Sequence, residues 1–405
     1  MRAFNPGLPR IVWLLQLGVL INFFGNGMVA PYLILYLHYG RNIPLGLAAA
    51  AVSLGGVTAV TSGLAAGSLA DRIGPRNILV AAMICNATAY LLYTQVTVSW
   101  HAFLVGLLVG VGTGTYGPTS QALTASMVAK ENRPAAFAQN RVTAIVGLGV
   151  GGVVGGFVAA GGLHGYLQLL VLDAVTFLLF AAVALMLPAG RVTSIAPTTS
   201  SGYVAVLRDR VFVRLVAINI ALVSAGIAPM LVLLAAYAKG EAHIGTQAIG
   251  AIYAVNTLTI VVAQLPLTRF AQSRDRMHVL RTGSLLWVAF WLVALGAGAW
   301  LQGLGAAAVI GAAAVAYAVG ECLYTAVMLP TAAALAPDHL RGRYLGAMGL
   351  AWQTGFLIGP TAGGAILSAY PLALPAVCAT VCLVAAAGTG SLAQSLRPRA
   401  ATAAA

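Results

Sequence analysis

Apolar residues run through this chain in long blocks, and polar residues punctuate the blocks rather than alternate with them. Twelve such blocks, at approximately 11–38, 45–70, 77–97, 100–129, 136–160, 165–188, 211–238, 245–270, 279–301, 304–335, 343–368 and 371–395, are each long enough to cross a membrane. A bilayer core about 30 Å thick needs roughly 20 residues of helix. Only helices and closed barrels satisfy their backbones in lipid, and the strands of a barrel alternate with period two. These runs do not alternate. The pattern therefore predicts an all-α polytopic membrane protein of twelve transmembrane helices.

The polar punctuation orders those helices. RVTSIAPTTSSGYVAVLRDR, 191–210, is the longest polar stretch, and its Pro, Ser, Thr and Gly content reads as a loop. It separates a six-helix half, 1–190, from a second half, 211–405. Its second part is a candidate for a short helix lying along the membrane surface. A repeat survives between the halves. Arg133 is followed by Gly147, Gly151, Gly155 and Gly156, and Arg341 by Gly355, Gly359, Gly363 and Gly364, each pair 208 positions apart (341 − 133, 364 − 156). Glycines spaced by four line one helix face and let a neighbouring helix come close. Helices 5 and 11 are thus expected to be equivalent members of two pseudo-symmetric halves.

Charge sharpens the topology. The net charge is +13, although only 7% of the 405 residues are charged and 60% are hydrophobic. Twelve spans with both termini in the cytoplasm place every one of the 21 Lys and Arg residues on the inner side, except Arg41 and Lys239. That is the positive-inside bias, so the basic balance reports orientation rather than a nucleic-acid partner. The first apolar run is too long for a signal-peptide core and reads as a retained helix. The four cysteines, Cys85, Cys322, Cys378 and Cys382, all fall inside spans and read as small apolar residues, not as a disulfide framework. Neither of the two lysines, Lys130 and Lys239, sits in a phosphate-binding loop, and the six histidines show no metal spacing. No nucleophile–base set is legible, so the sequence gives no support to an enzyme, a metal site or a cofactor.

GSLADRIGPR, 67–76, carries the family resemblance. It resembles the G-x-x-x-D-R-x-G-x-R signature between helices 2 and 3 of the major facilitator superfamily, through Gly67, Asp71, Arg72, Gly74 and Arg76. Pro75 stands where a basic residue is usual. The resemblance extends over essentially the whole chain, and it implies a secondary transporter working by alternating access. It implies that Asp71 holds the N-terminus of helix 11 on the inner side, through that helix's free N–H groups and dipole. Arg72 and Arg76 would meet carboxylates or helix C-termini. PLTRFAQSRDRM, 266–277, is a worn trace of the same signature in the second half. Arg141, near the inner end of helix 5, reads as structural or gating, with Asp71 or Glu131 as candidate partners.

Ionisable groups at membrane depth are costly and mark function by default. Glu321 lies near the middle of helix 10, and Tyr317, Glu321 and Tyr324 share one helix face at i, i+4 and i+7. A carboxylate there can exchange a proton or attract a cation. YAVGECLYT with the following APDHLRGRY resembles helix 10 and the next loop of proton-coupled multidrug exporters in the superfamily, which implies proton coupling or cation binding at Glu321. Asp173 in helix 6 is the second intramembrane acid and, with Glu321, a candidate proton-coupling or cation site. Asn22, Asn26, Tyr32, Tyr36, Gln121, Asn219, Asn256, Gln264, Tyr317, Tyr324, Trp352 and Gln353 are candidates to line a largely apolar and aromatic substrate cavity. The antiporter pattern G-x-x-x-G-P-x-x-G-G is displaced. Helix 5 reads GLGVGGVVGG with Gly152 in place of the proline, whereas helix 11 reads GFLIGPTAGG.

The expectation is a bacterial cell-membrane protein, monomeric, that uses the proton gradient to expel hydrophobic or amphipathic small molecules, cationic ones included. A narrow-specificity metabolite or sugar carrier, importing or equilibrating, is the alternative. A membrane sensor or scaffold without transport is a further one.

Overall fold

The computed structural model describes residues 9–129, 132–189, 206, 208–337 and 340–403. For Gly67, Ser68, Asp71, Pro134, Arg341, Gly342 and 396–403 the backbone alone is described. The chain divides into two compact units, Met1–Ala196 and Pro197–Ala405. The first holds α1 (Arg10–Val29), α2 (Leu45–Ile73), α3 (Pro75–Tyr93), α4 (Ser99–Met127), α5 (Arg133–Ala159) and α6 (Gly162–Leu185). The second holds α7, which runs as Arg210–Leu222, a π-helical turn Val223–Ile227 and Ala228–Val232. It continues with α8 (Thr246–Gln272), α9 (Arg276–Trp300), α10 (Gly303–Leu335), α11 (Arg341–Ala369) and α12 (Ala373–Ala403). Most of the central polar loop, with its candidate surface helix, lies outside the described residues.

Among the described residues, ten helices are long and apolar enough to cross a membrane by length and composition. The other two are α3, which carries Arg76, Asn77 and Asn86, and the glycine-rich α11.

Each unit repeats the same set of helix contacts. The pairs α1–α5, α1–α6, α2–α4, α3–α4 and α3–α6 of the first reappear as α7–α11, α7–α12, α8–α10, α9–α10 and α9–α12 in the second. The glycine stripes lie in equivalent seams. A Cβ on Gly151 would meet the Phe24 carbonyl and the Met28 amide of α1, and one on Gly359 would meet the Ser224 carbonyl of α7. Backbones this close leave no room for a side chain, which is how membrane helices pack without a hydrophobic drive between them.

A second repeat appears only in three dimensions. Following α1, the chain runs through Leu33–Leu35 and a π-helical turn Tyr36–Gly40, and following α7 through Leu234–Gly240. The Tyr36 hydroxyl donates to the Tyr93 carbonyl at 2.6 Å, and the Tyr237 hydroxyl donates to the Ala294 carbonyl at 2.9 Å. The Ile43 amide bonds the Leu37 carbonyl, and the Ile244 amide bonds the Ala238 carbonyl, both at 3.0 Å. Among the described residues, Asn42 and His243 are the non-glycine residues at positive φ, 55° and 51°. Every one of these pairs is 201 positions apart (237 − 36, 244 − 43, 243 − 42).

Candidate functional site

The signature turn is built by two residue types. Gly74 takes φ 92°, ψ 141°, a left-handed conformation that a side chain would strain, and its N–H caps α2 through the Ala70 carbonyl. Pro75 then opens α3 at the position where its missing N–H costs nothing. Gly67 and Asp71 fall in the last turns of α2, and the Asp71 side chain lies outside the described residues. Arg72 is exposed. Arg76 reaches back across its own unit and donates from Nη1 to the Leu187 carbonyl at 3.1 Å, just beyond the C-terminus of α6. A cation there complements the partial negative charge of the helix end. Arg141 is exposed on α5, and the side chains of both its candidate partners, Asp71 and Glu131, are outside the described residues.

In the second unit, Tyr317 and Tyr324 are buried on α10 on either side of the half-buried Glu321. Both tyrosines latch onto α7. The Tyr317 hydroxyl donates to the Gly226 carbonyl at 3.2 Å, inside the π-helical turn, and the Tyr324 hydroxyl donates to Asn219 Oδ1 at 2.5 Å. Trp287 of α9 binds the two rings together. It stacks on Tyr317 at 5.5 Å with the planes 21° apart, approaches Tyr324 at 5.5 Å, and donates its indole N–H to the Tyr317 carbonyl at 3.0 Å. Tyr324 leads on to Trp352 at 6.5 Å, and Trp352 to Phe356 at 5.4 Å, while Phe290 packs on Tyr317 at 5.1 Å. One turn below Glu321, Thr325 meets Gln264 of α8, whose Nε2 donates to the Thr325 hydroxyl at 3.3 Å. Glu321 therefore lies on a face of α10 that also carries aromatic latches to α7 and a polar pair shared with α8.

The other candidates divide by their partners. Tyr32 and Tyr36 are buried, donating to the Gly152 and Tyr93 carbonyls, and Tyr36 also accepts from Arg41 Nε at 2.8 Å. Asn26 donates to the Asn22 carbonyl at 3.0 Å. Asn22 and Asn256 each hold a buried side-chain oxygen with no protein partner. Gln121 is exposed on α4, and Gln353 is half-buried beside Trp352 on α11. Asp173 is fully buried in the first unit. Within the second unit the structure thus brings Asn219, Tyr317, Tyr324, Glu321 and Trp352 into one cluster, with Gln264 beside it. Cys322, Cys378 and Cys382 are buried, and Cys85 is half-buried.

Sequence reasoning missed Trp287, Phe290 and Thr325. Trp287 carried a signal, since tryptophan in a membrane protein gathers at the interfaces and this one sits in the interior of SLLWVAFW. Thr325 stands four residues after Glu321, on its face.

Comparison with known proteins agrees with this architecture. The family model of the Major Facilitator Superfamily matches residues 15–312 and 216–404. An uncharacterised MFS-type transporter of Bacillus subtilis, YhjO, is 26% identical over 375 residues, covering 91% of this chain and 89% of that one. The multidrug resistance protein MdtH of Cronobacter sakazakii is 25% identical over 310 residues, covering 76% and 74%. The fold is also that of the nucleoside transporter NupG, at a TM-score of 0.76 and 15% identity over 96% of this chain and 99% of that one. A peptide transporter of the POT type superposes at 0.78 and 16% identity over 96% and 95%. With its repeated six-helix units and the signature turn at Gly74, the chain belongs to the Major Facilitator Superfamily of membrane transporters.

Proposed function

We propose that this transporter expels hydrophobic and amphipathic compounds, cationic ones included, in exchange for protons by alternating access, and that Glu321 is the carboxylate that couples the two fluxes. The observation that carries the reading is the setting of Glu321, an acid inside an apolar span, bounded by buried aromatic rings and with a Thr–Gln pair one turn away. Ionisable groups inside apolar spans are rare and mark proton and ion pathways. Proton and lipophilic cation then compete for one site, which is the thermodynamic basis of exchange. The aromatic run from Tyr324 through Trp352 to Phe356 offers ring faces to an organic cation. Similarity to MdtH, a multidrug resistance protein, favours efflux. The chain is read as a monomer in a bacterial cell membrane with both termini in the cytoplasm, the orientation its basic loops favour.

The test is reconstitution into liposomes with an imposed pH gradient and a lipophilic cationic dye. Wild type should accumulate the dye against its gradient, and Glu321→Gln should lose that accumulation while still binding dye. A wild type that moves no dye under any gradient, yet moves a nucleoside, peptide or sugar, would replace this reading with that of a metabolite carrier.

A further inference from the structure

The first unit holds a carboxyl that Glu321 does not explain. Asp173 is 0% exposed, on α6 where it packs against α1 and α3. Its Oδ1 accepts from the Thr176 hydroxyl at 3.0 Å, while its Oδ2 is buried with no protein partner. Opposite, a Cβ on Gly25 of α1 would strike Asp173 Oδ1 and the Thr176 hydroxyl, and one on Gly18 would strike Phe180. Gly18, Asn22 and Gly25 fall at i, i+4 and i+7, so they form one stripe of α1 that faces α6. Asn22 is 3% exposed, and its Oδ1 too is buried with no protein partner. Two acceptor oxygens on facing stripes of two helices are therefore unsatisfied in an apolar enclosure, walled by Phe177 and by Tyr90, whose rings lie 5.2 Å apart.

Among the described residues, no cation on the helices packed against it neutralises the acid. α1 carries no ionisable side chain between Arg10 and Tyr32, and α5 carries none beyond Arg141. The outer π-helical turn contributes Tyr36, His38 and Tyr39, and its Tyr36 meets α6 at Tyr166, two turns from Asp173. α3 contributes Tyr90, an electrostatic neighbour of the acid, with Cys85 and Tyr93 on the same helix. A bare carboxylate in this setting is strongly disfavoured, whereas a carboxylic acid has one O–H to give. One donor between two orphaned acceptors satisfies both.

We propose that Asp173 and Asn22 form a second proton-binding site, in the N-terminal half, occupied in the state described here. The proton sits on Asp173 Oδ2 and is donated to Asn22 Oδ1, directly or through one water. It leaves to water only when α1 and α6 part along the stripe. Its part in flux rests on the proton-exchange reading above; its occupancy does not.

The experiment is infrared spectroscopy of the full chain in lipid nanodiscs near neutral pH, comparing wild type, Asp173→Asn, Asn22→Ala and Glu321→Gln. The carbonyl stretch of a protonated carboxylic acid should be present in wild type and Glu321→Gln, absent in Asp173→Asn, and shifted in Asn22→Ala. If Asp173→Asn does not fold, Thr176→Val supplies the second arm, since removal of its hydroxyl must move the same band. Loss of ionised-carboxylate bands alone in Asp173→Asn overturns the proposal, and a dependence of those bands on sodium chloride would make the site one for a metal cation. In liposomes, Asp173→Asn should lower the number of protons exchanged per dye by one. If wild type moves no dye while the acid band persists, the exporter reading fails and the site stands.

Discussion

Asp173 and Glu321 are both acids inside apolar spans, yet their surroundings differ in kind. Asp173 is sealed between α1, α3 and α6, with one oxygen on Thr176 and the other buried without a protein partner. Glu321 is half-buried on a face that also carries latches to α7 and a polar pair with α8. The seams beside them differ in the same sense. In the first unit the α5 glycines press on an unbroken α-helix, α1, whereas in the second the α11 glycines press on α7 where it loosens into a π turn. π turns are rare, concentrate at functional sites and free a carbonyl from the helical register, and here Tyr317 takes the one at Gly226. The lesson is that two copies of one architecture have been tuned apart: a fully buried acid beside an unbroken helix, and a half-buried acid beside one that carries a π turn.

The largest expected effect tests the rigid seam. Gly151→Ala puts a methyl against the backbone of α1, and overpacking of this kind costs about 1–3 kcal/mol. Gly363→Ala, in the matching stripe, meets only the side-chain tips of Leu233 and Leu374 and should cost under about 1 kcal/mol. Thermal unfolding in detergent should show a clear drop in Tm for the first and little for the second, and equal drops would erase the contrast. Next, Glu321→Gln should reduce the pH-driven accumulation ratio of dye by about tenfold or more, a coupling of at least about 1.4 kcal/mol. Smaller again, Tyr324→Phe removes the bond to Asn219 and should cost about 1 kcal/mol or less. It should weaken transport more than Tyr32→Phe does, because the Tyr32 hydroxyl bonds the Gly152 carbonyl of α5, whereas Tyr324 shares a helix face with Glu321. The smallest test concerns the outer turns. Tyr36→Phe and Tyr237→Phe each remove one bond of about 0.6 kcal/mol, and Tyr36→Phe should be the worse because it also deprives Arg41 of a partner.

Helix number, helix order and the equivalence of helices 5 and 11 were legible in the sequence, since each rests on a periodicity that survives without side-chain detail. The outer-turn repeat was not. Its conserved content is a tyrosine hydroxyl, a backbone bond and a positive φ, carried by YLHYGRNI in one half and YAKGEAHI in the other. Its spacing of 201 also differs from the 208 of the glycines, because α9 and α10 have 25 and 33 residues against 19 and 29 in α3 and α4, and the loop between them is shorter. No single offset finds both repeats. In the site, Glu321 and its two tyrosines were legible from helical spacing, but Trp287 was not. What fixes it is contact across three helices, which spacing within one helix does not encode.

The central claim is that proton and cationic substrate compete at Glu321. The most direct measurement is proton release from purified protein in weakly buffered solution on addition of a lipophilic cation, for wild type and Glu321→Gln, with binding followed in parallel. The account predicts that wild type releases protons as the ligand binds and that the variant binds without releasing them. Equal release from both, or binding to wild type without any release, would contradict it.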